Sequence, residues 1–119
     1  MNPVERAALD GVELEYELAG EGDPVVLIHA VCAEWFVPLL AQPALRDRFR
    51  VLSYHRAGYA GSSRPTGELT IADNAGHCHA LMRHVGIERA HLVGHSSSAM
   101  MALQLALDRP EAVGTLALL

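Results

Sequence analysis

Four short apolar runs, spaced along the chain with helix-sized stretches between them, most constrain what this sequence can become. They are "VVLIHA" at 25–30, "RVLSYH" at 50–55, "AHLVG" at 90–94 and "AVGTLALL" at 112–119. Runs of this length without polar alternation suit strands covered on both faces. Strands that alternate with helices pair in parallel, because a parallel return needs a connection about as long as a helix. The expected fold is therefore α/β, a mostly parallel sheet with helices on both faces, in a single domain over residues 1–119.

The connecting stretches agree with this order. Before the first run, Asp10-Gly11 separates two strand-like segments, and the pair supplies the positive φ angles of a tight hairpin turn. Val12, Leu14, Tyr16 and Leu18 alternate with charged residues, as in a half-buried strand. Residues 33–49 are ambiguous, with Pro38 and Pro43 each placed to open a short helix. Thr70 and Asp73 form a capping-box pattern, and Ile71, Ala75, Cys78, Met82 and Val85 then lie on one helical stripe that Gly86 ends. "SSAMMALQLALD" is a helix halted by Arg109-Pro110.

Composition narrows the function classes. Half of the 119 residues are hydrophobic and 19% are charged, which fits a packed core and not a disordered chain. The net charge of −5 has no block of like charge behind it, so neither nucleic acid nor an anionic membrane is an expected partner. His29, Glu34 and Pro38 interrupt the most apolar window, 24–40, and each half is too short to cross a bilayer. The N-terminus lacks the apolar core of a signal peptide. Two distant cysteines, Cys32 and Cys78, form neither a disulfide framework nor a zinc spacing and fit a reducing cytoplasm.

The chemistry concentrates in Gly94-His95-Ser96-Ser97-Ser98, between a strand and a helix. A serine hydroxyl becomes a useful nucleophile when it is exposed on a sharp turn, beside a base and near donors for the developing oxyanion. Gly94 permits the bend, Ser96 takes the tip, and the Ser97 amide leaves the helix N-terminus toward an anion.

With that motif in its strand–turn–helix context, the chain resembles the N-terminal half of an α/β-hydrolase fold protein. "PVVLIHA", "RVLSYHRAGYAGSSRP", "HLVGHSSSAMMALQLALDRPEAV" and "GTLALL" carry the likeness, in the order the fold requires, and cover nearly all of the chain. The resemblance implies that Ser96 is the nucleophile, and that the backbone N–H groups of Ser97 and Val31 bind the oxyanion. A serine there points away from the dehalogenase and epoxide-hydrolase branches and toward a hydrolase of carboxylic esters or related acyl bonds in small molecules. It implies no cofactor.

The chain also departs from the family pattern. Ala30 stands where Gly is usual, before β-branched Val31; His55 replaces a frequent Asp; Ala60 replaces a Gly. Ser98 replaces the last Gly of the motif and is expected to crowd the turn. By resemblance the acid and base of the triad follow later in the chain than residue 119. His29 is the candidate substitute base, set against a role as a loop-ordering hydrogen bonder.

Other groups carry weaker alternatives. Asp73, His77 and His84 share a helix face, read as a solvated polar face or a metal site. "GYAGSS" lacks the Lys and the following helix of a phosphate loop. Two functions stay open: an esterase-like serine hydrolase, or a catalytically incompetent remnant or small interaction module. The apolar last strand, left at a sheet edge, is expected to recruit a second copy.

Overall fold

The computed structural model describes residues 3–119. Strands β1 (Glu5–Leu9) and β2 (Val12–Ala19) form the expected hairpin, with Leu9 opposite Val12. Only Gly11 of the turn pair adopts a positive φ, at +83°. The turn thus needs one left-handed residue, not two, and glycine takes it without a Cβ clash.

Four further strands complete one sheet: β3 (Asp23–Ile28), β4 (Phe49–Tyr54), β5 (Ala90–Gly94) and β6 (Val113–Leu118). Their order is β1-β2-β4-β3-β5-β6. The hairpin joins antiparallel to β4, and β4, β3, β5 and β6 run parallel. The chain leaves β3 to one side to form β4, then returns to form β5 on the other. That reversal opens a crevice at the carboxyl ends of the parallel strands, where open α/β sheets place their ligands.

The two-residue period of β-strands sorts side chains between two cores. Leu14, Val26, Leu52 and Leu92 face helices α3 (Ile71–His84) and α4 (Ser97–Asp108), meeting Cys78, Leu81, Met82, Met101 and Leu105. Val25, Leu27 and Val51 face the other way, under Phe36, with Leu40 and Leu45 from the short helices α1 (Val37–Leu40) and α2 (Pro43–Arg46). Helices thus lie on both faces, and the longer pair packs on one. Pro38 occupies the second position of α1 and Pro43 the first of α2, where a missing N–H breaks no helical bond. The capping box forms: the Thr70 hydroxyl accepts from the Asp73 N–H, and the Asp73 carboxylate accepts from the Thr70 N–H, both at 2.9 Å. Gly86, at φ +78°, follows the Val85 cap.

Among the described residues no helix is long and apolar enough to cross a membrane.

Candidate active site

The turn between β5 and α4 is tight for two separate reasons. At Gly94 a Cβ would lie 2.5 Å from the Ser98 carbonyl oxygen and 2.8 Å from the Ala99 Cα. Only glycine lets the first turn of α4 approach the strand so closely. At Ser96 the backbone itself is unusual, with φ +53° and ψ −122°. A non-glycine residue there is strained, and the surrounding structure must hold it. The holding bonds are backbone ones: His95 N–H to the Ile28 carbonyl, Ser96 N–H to the Leu119 carbonyl, and Leu119 N–H back to the Gly94 carbonyl.

The Ser96 side chain makes no capping bond to α4. The Ser96 carbonyl accepts from the Ala99 N–H along the helix. In a planar trans peptide the N–H points opposite to the C=O. The Ser97 N–H therefore points off the helix N-terminus, and among the described residues it has no hydrogen-bond partner.

Ser98 does not crowd the turn. It is fully buried, and its hydroxyl donates to the His29 carbonyl at the end of β3. The close approach is between Gly94 and the Ser98 backbone, whereas the Ser98 hydroxymethyl group points into a site that offers an acceptor. The hydroxyl links α4 directly to the segment that carries Val31.

That segment is organised by His29 and Arg56, both buried. The His29 Nδ1–H donates to the Ala30 carbonyl (2.7 Å), and its Nε2 accepts from the Arg56 N–H (2.9 Å). This pattern requires the neutral tautomer protonated on Nδ1. Burial pushes the His29 pKa down to about 4, opposed by the bond to Ala30 and reinforced by the charges of Arg56 and His55. Both ring nitrogens are occupied, so the geometry matches a loop-ordering residue and leaves no free nitrogen for a base at Ser96.

The Arg56 guanidinium donates to the carbonyls of His29 (2.8 Å) and Ala30 (3.2 Å) and lies 4.8 Å above the Tyr59 ring. With the Ala30 carbonyl drawn inward, the trans peptide turns the Val31 N–H outward. Val31 is 82% exposed, and among the described residues its N–H has no partner.

The loop after β4 is a brace. His55 Nδ1–H donates to Glu15 on β2 at 2.6 Å, and the Gly61 N–H reaches the same carboxylate oxygen at 3.2 Å. Burial alone would raise the Glu15 pKa, but the bonds from His55 and Gly61 and the charges of His55 and Arg6 outweigh it and hold it below the usual range. The Gly58, Ser62 and Ser63 amides bond to the carbonyls of Ser63, Tyr59 and Glu13. The amides that would cradle a phosphate are thus already engaged. Ala60 takes the left-handed conformation, φ +44°, that a glycine would accept more readily.

Elsewhere, His77 is half-buried and its pKa is lowered by burial, opposed by Asp73. Among the described residues no group of three His, Cys, Asp or Glu side chains is placed to hold a metal ion. His91 bonds with the Thr115 hydroxyl at 2.7 Å. His95 stacks on Trp35, ring centres 4.0 Å apart and planes inclined by 18°. A cavity of about 200 Å3 opens beneath α1, lined by Glu15, His29, Phe36, Leu40, Ser53 and His55 among others, and Ser96 is not part of its wall. Arg56, Glu15 and Trp35 were not visible as site residues in the sequence, where no motif or spacing marks them.

A sheet of this topology, with a strained serine at a strand-to-helix turn on its carboxyl edge, defines an α/β layered protein of the hydrolase type. Residues 23–119 match the α/β hydrolase fold family, and the chain belongs to it. It is 34% identical over 113 residues to the dihydrolipoyllysine-residue acetyltransferase component of the acetoin cleaving system of Cupriavidus necator, covering 94% of this chain and 30% of that protein. It is 32% identical over 113 residues to a fluoroacetate dehalogenase from a Burkholderia species, covering 91% and 37%. Among solved structures, a hydrolase from Pseudomonas aeruginosa superposes with a TM-score of 0.89 at 30% identity, covering 97% of this chain and 44% of that one. The chain thus spans roughly a third of the length of these curated relatives.

Proposed function

We propose that this chain carries the nucleophile and the oxyanion-binding half of a serine hydrolase acting on carboxylic esters or related acyl bonds of small molecules. The observation that carries the reading is the turn itself: Ser96 held at φ +53° with no capping bond, next to a Ser97 N–H that has no partner among the described residues. The Val31 N–H, turned outward by the grip of Arg56 and His29 on the Ala30 carbonyl, is the second donor.

In this mechanism the Ser96 oxygen attacks the acyl carbon and forms the Oγ–C bond. The carbonyl electron pair moves onto oxygen, where the two N–H groups stabilise it. The hydroxyl proton passes to a base, the alcohol leaves with a proton, and water then cleaves the acyl-enzyme. Neither His29 nor His55 is a suitable base: His29 has both nitrogens engaged, and His55 is bound to Glu15, across β3 from the turn. In this reading the base and its orienting acid are supplied by other groups, a second chain among the candidates. Without them this chain is a scaffold with little turnover, since loss of triad members costs several orders of magnitude in rate.

A fluorophosphonate probe with added imidazole as external base tests the reading. Expected is covalent labelling at Ser96, accelerated by imidazole and abolished in Ser96→Ala. Labelling that survives in Ser96→Ala, or none at any imidazole concentration, refutes it and favours the inert-scaffold alternative.

A further inference from the structure

Between Ala30, clamped by Arg56, and Phe36, buried under α1, the chain crosses five residues above the carboxyl edge of the sheet. Val31 and Cys32 are exposed, and the only hydrogen bond within this stretch joins the Trp35 N–H to the Cys32 carbonyl at 3.2 Å, among the described residues. One ring contact ties the stretch to the strained turn: the Trp35 indole lies flat on His95, the residue directly before Ser96. The indole is still 51% exposed, so burial in the core does not account for its position.

We propose that Trp35 is a positioning residue whose stack on His95 fixes the 31–35 segment against the Ser96 turn, and so sets the distance between the Val31 and Ser97 N–H groups. Arg56 determines the direction of the Val31 N–H; the stack determines how far it stands from the second donor. A phenyl ring at position 35 keeps a face to stack, and a methyl group does not. The anion-binding part of this role rests on the assignment of Ser96 made above, whereas the ordering of the segment does not.

The test compares Trp35→Phe and Trp35→Ala with the full wild-type chain. The 15N order parameter of the Val31 amide is expected near 0.85 in wild type and Trp35→Phe, and below about 0.6 in Trp35→Ala. Under the imidazole-assisted labelling assay, Trp35→Ala should lower the maximal labelling rate by ~3- to 10-fold, the value of one aromatic pair. The half-saturating probe concentration should stay the same, and Trp35→Phe should recover the rate. If Trp35→Ala does not fold, His95→Ala removes the other ring and should mobilise Val31 equally. An unchanged Val31 order parameter in a folded variant lacking either ring overturns the proposal. If wild type fails to label, the assignment of Ser96 falls, and the order parameters still decide whether the stack holds the segment.

Discussion

Gly94→Ala isolates the packing that makes the turn possible. The added Cβ would sit 2.5 Å from the Ser98 oxygen, 2.8 Å from the Ala99 Cα and 2.9 Å from the Ser98 carbonyl carbon. All three are backbone atoms of α4, so no side chain can swing aside. Relief requires the first turn of the helix to move by several tenths of an ångström. Overpacking of this kind costs about 1–3 kcal/mol. Gly114→Ala on the neighbouring strand is the control, because its Cβ would meet nothing nearer than 3.5 Å. Both substitutions share the gain of about 0.4–1 kcal/mol from a stiffer unfolded chain, so their difference reports the clash. For a chain of this size the unfolding entropy is about 0.25 kcal/mol/K. Gly94→Ala should therefore melt about 4–12 °C below Gly114→Ala by circular dichroism. Equal melting temperatures would show that helix and strand are not in the contact described here.

Further perturbations probe other parts of the framework. Ala60→Gly should relieve the left-handed strain of about 1–2 kcal/mol, less the entropy added to the unfolded chain, and raise the melting temperature by roughly 2–4 °C; a lower melting temperature would contradict the strain. The folded pKa of His29, about 4, lies below its ordinary 6.5, so the unfolded chain takes up the proton first. Its contribution is complete above pH 6.5 and is lost as pH falls toward 4, amounting to about 3–4 kcal/mol at about 1.4 kcal/mol per unit. Denaturant titrations should show that slope, and His29→Gln, which keeps an acceptor near Nε2, should flatten it. Strand β6 lies at the edge of the sheet with Leu118 and Leu119 about half exposed or more, so the chain should self-associate at micromolar concentration; light scattering that finds only monomer would refute this.

The long elements were legible because their signals are local. Thr70 and Asp73 cap α3 across three residues, and the buried stripe from Ala75 to Met82 repeats at helical spacing within the same element. Gly94 and Ser96 were legible for the same reason, since strand, turn and helix are contiguous. What escaped depends on which strands become neighbours. Glu15 meets His55 only because β2 pairs with β4, bringing together residues 40 positions apart. The family pattern has glycine at the position of Ser98 and so predicts crowding, whereas the outcome is decided by the His29 carbonyl, 69 residues earlier. Trp35 finds His95 through the β3–β5 pairing, and an isolated tryptophan in a proline-broken stretch carries no sign of that.

The strand order also has a consequence for synthesis. β3 is the first of the parallel strands to leave the ribosome, yet it lies between β4 and β5, both translated later. Its second partner is complete only at Gly94, 66 residues after Ile28. At about 5–20 residues per second, that strand waits on the order of 3–13 s with at least one backbone edge unpaired. The interval in which the nascent chain is most open to misassociation, and of most interest to a chaperone, is therefore built into the same topology that later brings Ile28 and Gly94 side by side beneath Ser96.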